Sequence, residues 1–197
     1  MLVFWKQKIV LLAVPKTGTT ALEQALLPHA SAAILDPPGQ KHVPAQQYRN
    51  RLSKFFEQRG KRPMELVAVM REPVDWLGSW YRYRARPQLS GKPNSTEGIG
   101  FDEFVAAWLE PRRPDFAEVG SQANFLTDDK GRPAVDRIFR YDRMADLVAF
   151  FETRLETALD VPRANVSPKG PVELSDTMRA RLEREAAAEF DLWRRLD

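Results

Sequence analysis

Seven consecutive residues, Val14-Pro15-Lys16-Thr17-Gly18-Thr19-Thr20, hold a cation, three hydroxyls and a glycine. An apolar run, Ile9-Val10-Leu11-Leu12-Ala13-Val14, precedes them, and an amphipathic segment, Ala21-Leu22-Glu23-Gln24-Ala25-Leu26-Leu27, follows. A strand, a tight polar turn and a helix start, in that order, make an anion cradle. The N–H groups of the first helical turn lack carbonyl partners there, and the positive end of the helix dipole faces the turn. Gly18 lets backbone approach an anion closely. Lys16 supplies a full charge, and Thr17, Thr19 and Thr20 supply hydroxyl donors. The chemistry this suits is retention of a phosphate or sulfate ester. The same residues also suit a plain strand-to-helix turn with Thr19 or Thr20 as N-cap.

A second constellation, Arg71-Glu72-Pro73-Val74-Asp75-Trp76-Leu77-Gly78-Ser79-Trp80-Tyr81, follows the apolar stretch Glu65-Leu66-Val67-Ala68-Val69-Met70. Arg71 at the C-terminal end of a strand can grip a phosphate through two parallel hydrogen bonds. Pro73 suits the first turn of a helix. Ser79 stands eight residues after Arg71, and two helical turns can return its hydroxyl to the same ligand. An exposed Arg and an ordinary helical Ser account for the same residues more simply. Ligands of open α/β sheets bind outside the carboxyl ends of strands, near a change in strand order, so two such loops can hold one ligand from both sides.

The first loop is not the common nucleotide loop G-x-x-x-x-G-K-[ST], because Lys16 precedes the glycine and no earlier glycine exists. Pro15-Lys16-Thr17-Gly18-Thr19-Thr20 instead resembles the 5′-phosphosulfate loop of sulfotransferases, which use 3′-phosphoadenosine-5′-phosphosulfate (PAPS) as donor. Arg71, Pro73 and Ser79 resemble their 3′-phosphate motif. The resemblance to the bacterial and carbohydrate-type members continues, as order and texture, through residues 122–126, 135–141, 144–159, 165–169 and 190–192. Only the two nucleotide motifs are specific. The resemblance implies a P-loop-like nucleotide-binding architecture. It implies donor contacts from Lys16, Thr17, Gly18, Thr19, Thr20, Arg71 and Ser79, and 3′,5′-ADP as product. Lys169 beside Gly170 stands where relatives carry a basic residue over the 3′-phosphate, although a Pro-rich surface loop accounts for it equally.

Sulfuryl transfer needs an in-line acceptor, neutralisation of charge on the transferring group, and a base for the acceptor hydroxyl. By analogy with phosphoryl transfer, positioning and electrostatics dominate. Lys16 is the candidate for the bridging oxygen of the departing phosphate, with ground-state anion binding as its alternative role. The chain has two histidines. His42, in Gln40-Lys41-His42-Val43-Pro44, resembles a Lys-His pair of the family whose His deprotonates the acceptor, and imidazole has the intrinsic pKa for that task. A surface His explains it as well. His29, behind Pro28 at a helix end, reads as structural. Glu97, Asp102 and Glu103 stay open as acidic bases. With no Cys, two His and no clustered carboxylate motif, no metal is expected.

Strands and helices must position these groups. The apolar runs predict strands over 1–14, 31–35, 65–70 and 135–141. Helical spacing appears over 19–28, 44–60, 73–85, 101–109 and 144–159, with a final helix from Ser175. Tyr48, Leu52, Phe55 and Phe56 are spaced for one buried face. Residues 87–100 read as a long mobile loop. Alternating strands and helices predict an α/β fold, three-layered, with a mostly parallel central sheet flanked by helices. The whole chain, 1–197, is expected to be one sulfotransferase domain.

Net charge is +3, and the Arg82-Tyr83-Arg84-Ala85-Arg86 stretch reads as a solvated helix face in preference to a nucleic-acid surface. It is also placed to border an anionic acceptor. The N-terminal apolar stretch is too short to span a bilayer and is read as a core strand, not a leader. The absence of Cys fits a reducing cytoplasm, where the chain is expected. The functional expectation is transfer of a sulfuryl group from PAPS to a hydroxyl or amine of a small-molecule or glycan acceptor. The competing readings are an inactive nucleotide-binding module of the same fold and a P-loop kinase.

Overall fold

The computed structural model describes residues 1–57, 63–161 and 172–196. In chain order the elements are β1 (Leu2–Phe4), β2 (Ile9–Leu11), α1 (Thr19–Leu26), β3 (Ala32–Ala33), α2 (Pro38–Lys41), α3 (Ala45–Gln47), a π-helical turn (Tyr48–Leu52), α4 (Ser53–Glu57) and β4 (Glu65–Met70). They continue with α5 (Pro73–Arg84), α6 (Phe101–Leu109), α7 (Gln122–Leu126), β5 (Arg137–Arg140), α8 (Met144–Leu155), α9 (Asp176–Glu185) and α10 (Ala187–Arg194). They fall into two compact units, one built from Met1–Arg71 with Gln122–Asn165, the other from Glu72–Ser121 with Val166–Arg195.

The first unit carries a five-stranded sheet flanked by helices, in the order β3-β1-β2-β4-β5. β2 pairs parallel with β4 (Val10 opposite Leu66), and β4 parallel with β5 (Met70 opposite Arg140). β1 pairs antiparallel with both β2 and β3. The α/β class is as expected, but the sheet is mixed where a mostly parallel one was anticipated. The reason lies in residues 1–14. They form a hairpin and not one strand, turning over Trp5–Lys8, where Lys8 is left-handed (φ 57) and its N–H donates to the Trp5 carbonyl (3.2 Å).

Alternation sorts the strand side chains onto two buried faces. Leu2, Phe4, Ile9, Leu11, Val67 and Val69 pack with Leu22 and Leu26 of α1 and Leu147 and Phe151 of α8. Val3, Val10, Leu66, Ala68 and Met70 point the other way and are just as buried. Strands buried on both faces read as continuous apolar runs, which is why β4 was visible to the residue. Asp136 fixes the start of β5. Its carboxylate accepts from the Leu66 N–H (2.7 Å) and from Arg49 Nη2 (3.1 and 3.2 Å).

The π-helical turn unwinds the chain by about a quarter turn relative to an α-helix. Phe56 therefore takes the buried position over Tyr48, their rings stacked at 6.4 Å, while Phe55 is 72% exposed. The one-face pattern read for both phenylalanines is corrected accordingly.

The second unit has its own core, with Val74, Trp76 and Leu77 of α5, Phe101, Phe104, Val105 and Trp108 of α6, Leu182 of α9 and Phe190 of α10. Arg84, at the end of α5, is buried and donates to the carbonyls of Asp115 and Glu118. It staples a loop, so the basic stretch is not uniformly a solvated face. Residues 87–100 open with a 3-10 turn (Pro87–Leu89) and are pinned, since Thr96 N–H donates to the Arg84 carbonyl (3.2 Å) and Thr96 Oγ1 to the Tyr81 carbonyl (2.9 Å). Ser175 caps α9 by accepting from the Met178 N–H, and the final helix breaks at Ala186. Among the described residues no helix is long and apolar enough to cross a membrane.

Candidate functional site

From β2 the chain runs through α1 to β3, on one side of the sheet. From β4 it returns to the sheet as β5, on the other side. The connections therefore diverge between the parallel neighbours β2 and β4. This is the topological switch point, and open α/β sheets bind ligands outside the carboxyl ends of their strands there. The Lys16 loop follows β2, and Arg71 follows β4.

The loop is built as a cradle. Lys16 (φ 66) and Gly18 (φ 74) are both left-handed, so the backbone doubles back within three residues. Gly18 is the N-cap of α1 and offers no side-chain cap. The first helical bond runs from the Leu22 N–H to the Gly18 carbonyl (3.5 Å), which leaves the N–H groups of Thr19, Thr20 and Ala21 ahead of any intrahelical acceptor. No acidic side chain occupies the first turn to satisfy the dipole. The three threonines divide their roles. Thr17 is fully buried, and its hydroxyl donates to the Val14 carbonyl (2.9 Å), so its hydroxyl proton is spent on holding the turn. Thr19 is buried as well, while Thr20 is exposed.

Arg71 lies against this loop. Its Nη1 donates to the Lys16 carbonyl at 3.3 Å. Its guanidinium sits over the Tyr141 ring, 4.5 Å from the centroid. The same ring reaches the loop, since a Cβ placed on Gly18 would stand 3.1 Å from Tyr141 Cε2. Tyr141 thus lies against both halves of the cradle. It directly follows β5, the third parallel strand, and so approaches from the same strand ends. Sequence reasoning read it only as the end of a strand, and 70 residues separate it from Arg71.

His42 closes α2, and its Nδ1 stands 2.7 Å from the Ala13 carbonyl, two residues beyond β2. A carbonyl oxygen only accepts, so Nδ1 carries the hydrogen and the neutral ring keeps its lone pair on Nε2. Burial pushes the imidazole below its ordinary pKa of 6.5. The Ala13 carbonyl works against this shift, and the Lys41 ammonium adds to it. Lys41 itself bonds Glu23 on α1 (2.7 Å), tying α2 to the helix of the cradle. A neutral imidazole with a fixed tautomer beside a strand end is equipped to take a proton.

The remaining candidates are dispersed. Ser79 lies on α5 in the second unit and is only 2% exposed. Lys169 falls outside the described residues. His29 ends an exposed 3-10 turn. Glu97 accepts from the Ser90 hydroxyl (2.5 Å), and Asp102 accepts from the Ser175 N–H (3.0 Å), so both serve local structure. Glu72 caps α5 by accepting from the Asp75 N–H (2.7 Å), and burial raises its pKa. Among the described residues no three His, Cys, Asp or Glu side chains gather as a metal would need. Within the first unit, then, the cradle and Arg71 meet beyond the ends of β2 and β4, and His42 stands at the Ala13 carbonyl just past β2. They offer backbone N–H groups, two cations and a base. No family model, curated protein or solved structure matches the chain.

Proposed function

We propose that the chain is a sulfotransferase of the P-loop-like type, moving a sulfuryl group from PAPS to a hydroxyl or amine of a small-molecule or glycan acceptor. The observation that carries this reading is the contact of Arg71 Nη1 with the Lys16 carbonyl at 3.3 Å. It sets a bidentate anion-gripping side chain beside a backbone anion cradle, and a nucleotide bearing phosphate on both sides of its ribose needs that pairing. The family resemblance alone implies donor contacts from Ser79 and Lys169.

In the proposed reaction the acceptor oxygen attacks the sulfur and loses its proton to His42 Nε2. The bond from sulfur to the bridging oxygen breaks, and its electron pair leaves with the 5′-phosphate of 3′,5′-ADP. Lys16 and the free N–H groups of α1 neutralise the charge growing there.

Thermal shift in the presence of 3′,5′-ADP, 5′-AMP and ATP–magnesium tests donor recognition. Selective stabilisation by 3′,5′-ADP is the expected result. Stabilisation by ATP–magnesium alone would turn the reading toward a kinase. Labelled PAPS offered against a panel of acceptors then tests transfer. Binding without turnover across that panel would leave a nucleotide-binding module.

A further inference from the structure

Both hydrogen-bonded ladders of β4 stop short of Arg71. The β2 side last engages Val67, whose carbonyl accepts from the Leu12 N–H, and the β5 side ends at Met70 opposite Arg140. The sheet therefore offers the Arg71 backbone no strand partner. Gln122, the first residue of α7, takes that place. Its Oε1 accepts from the Arg71 N–H and its Nε2 donates to the Arg71 carbonyl, both at 2.9 Å, and the residue is fully buried. An antiparallel neighbour exchanges the same two bonds with a residue opposite it. One primary amide thus serves as a one-residue strand and fixes both backbone dihedrals of Arg71. Of the common buried side chains, only Asn and Gln carry donor and acceptor side by side, and only Gln has this reach.

We propose that Gln122 is a positioning residue whose side-chain amide sets the Arg71 backbone and so the direction in which the guanidinium meets an anion. Its ligand arm rests on the nucleotide reading above, and its spectroscopic arm does not.

The ligand arm compares the affinities of Gln122→Met for 3′,5′-ADP and 5′-AMP. Affinity for 3′,5′-ADP should fall about tenfold, the worth of one misdirected charge-assisted hydrogen bond, with 5′-AMP affinity held within about twofold. Adding the change to Arg71→Ala should cost nothing further, because both act through one side chain. A lowered Tm with the ratio of the two affinities unchanged would make Gln122 purely structural and overturn the inference. The spectroscopic arm follows the Arg71 Nε–Hε signal by NMR, assigned with Arg71→Lys and expected to be displaced in the native protein by the Tyr141 ring, whose centroid lies 4.5 Å from the guanidinium. In Gln122→Met it should move toward the position of free arginine, and an unmoved signal overturns the inference. If the native protein fails to bind 3′,5′-ADP, the functional proposal falls while this signal still decides the role of Gln122. Gln122→Glu, which keeps the acceptor for the Arg71 N–H and opposes the carbonyl, carries the same readouts if the Met variant does not fold. Failure of both variants to fold counts against a positioning role.

Discussion

At the scale of single residues, Lys16 and His42 make separable demands. Lys16 occupies a left-handed conformation that costs a non-glycine residue about 1–2 kcal/mol. Glycine would relieve that strain, so the lysine side chain is there at the expense of stability. If its charge acts on the leaving oxygen, Lys16→Ala lowers kcat about 10²–10³-fold while donor affinity changes far less. Equal losses in both constants would reduce Lys16 to a ground-state anchor. His42 is governed by its protonation. A base works when unprotonated, and burial holds this imidazole below 6.5. The profile of kcat/KM against pH should therefore be flat through neutrality and decline only on the acid side of 6.5. A decline centred above that value would assign the base elsewhere, and His42→Gln should remove the acid limb with about 10²–10⁴-fold of rate. Stability carries the same sign. The folded pKa is depressed, so the native state binds fewer protons than the unfolded chain. The contribution of His42 is complete above 6.5 and drains as pH falls toward the folded value.

At the scale of elements, the junction of β2 with α1 is the most exacting. Gly18→Ala forces an L side chain to φ 74 and brings a methyl to 3.1 Å from Tyr141 Cε2. Urea denaturation should show a loss of about 1–3 kcal/mol, part strain and part displacement of the ring. Shortening the ring by Tyr141→Leu in the same chain should return the steric part and leave the conformational part. Elements whose local signals agreed with their environment were legible from sequence. From Leu66 onward β4 is an uninterrupted apolar run because both of its faces are buried, and α6 is bounded by Gly100 and carries a strong apolar stripe. Other features depend on partners the sequence does not display. The turn at Trp5–Lys8 lacks the glycine or asparagine that marks a hairpin and sits between two apolar stretches, so it merged into one strand. The π turn left no compositional trace, and only its effect on Phe55 and Phe56 reveals it. The order of the two anion motifs was readable because each is contiguous. Nothing local marks Gln122 and Tyr141 as partners of Arg71, because each meets it across 51 or more residues of chain.

At the scale of the whole chain, the residues proposed to bind the anion are unevenly divided between the two units. The cradle, Arg71, Gln122, Tyr141 and His42 all belong to the first, and Ser79 belongs to the second. Ligand that binds only the native state stabilises it by mass action, about 2.7 kcal/mol at a hundredfold excess over Kd. Hydrogen exchange locates where that stabilisation falls. With saturating 3′,5′-ADP, amide protection should rise across residues 14–22 and at the C-terminal end of β4, where the proposal sets the loop N–H groups and the Arg71 guanidinium against phosphate. Protection should be unchanged along the Trp5–Lys8 turn. If α5 also gains protection and Ser79→Ala abolishes that gain, the hydroxyl belongs to the ligand set. Otherwise the burial of Ser79 is a packing requirement of the second unit, and recognition rests on the first alone. Protection confined to the second unit would place the nucleotide away from the switch point and defeat the functional proposal, however tightly the ligand bound.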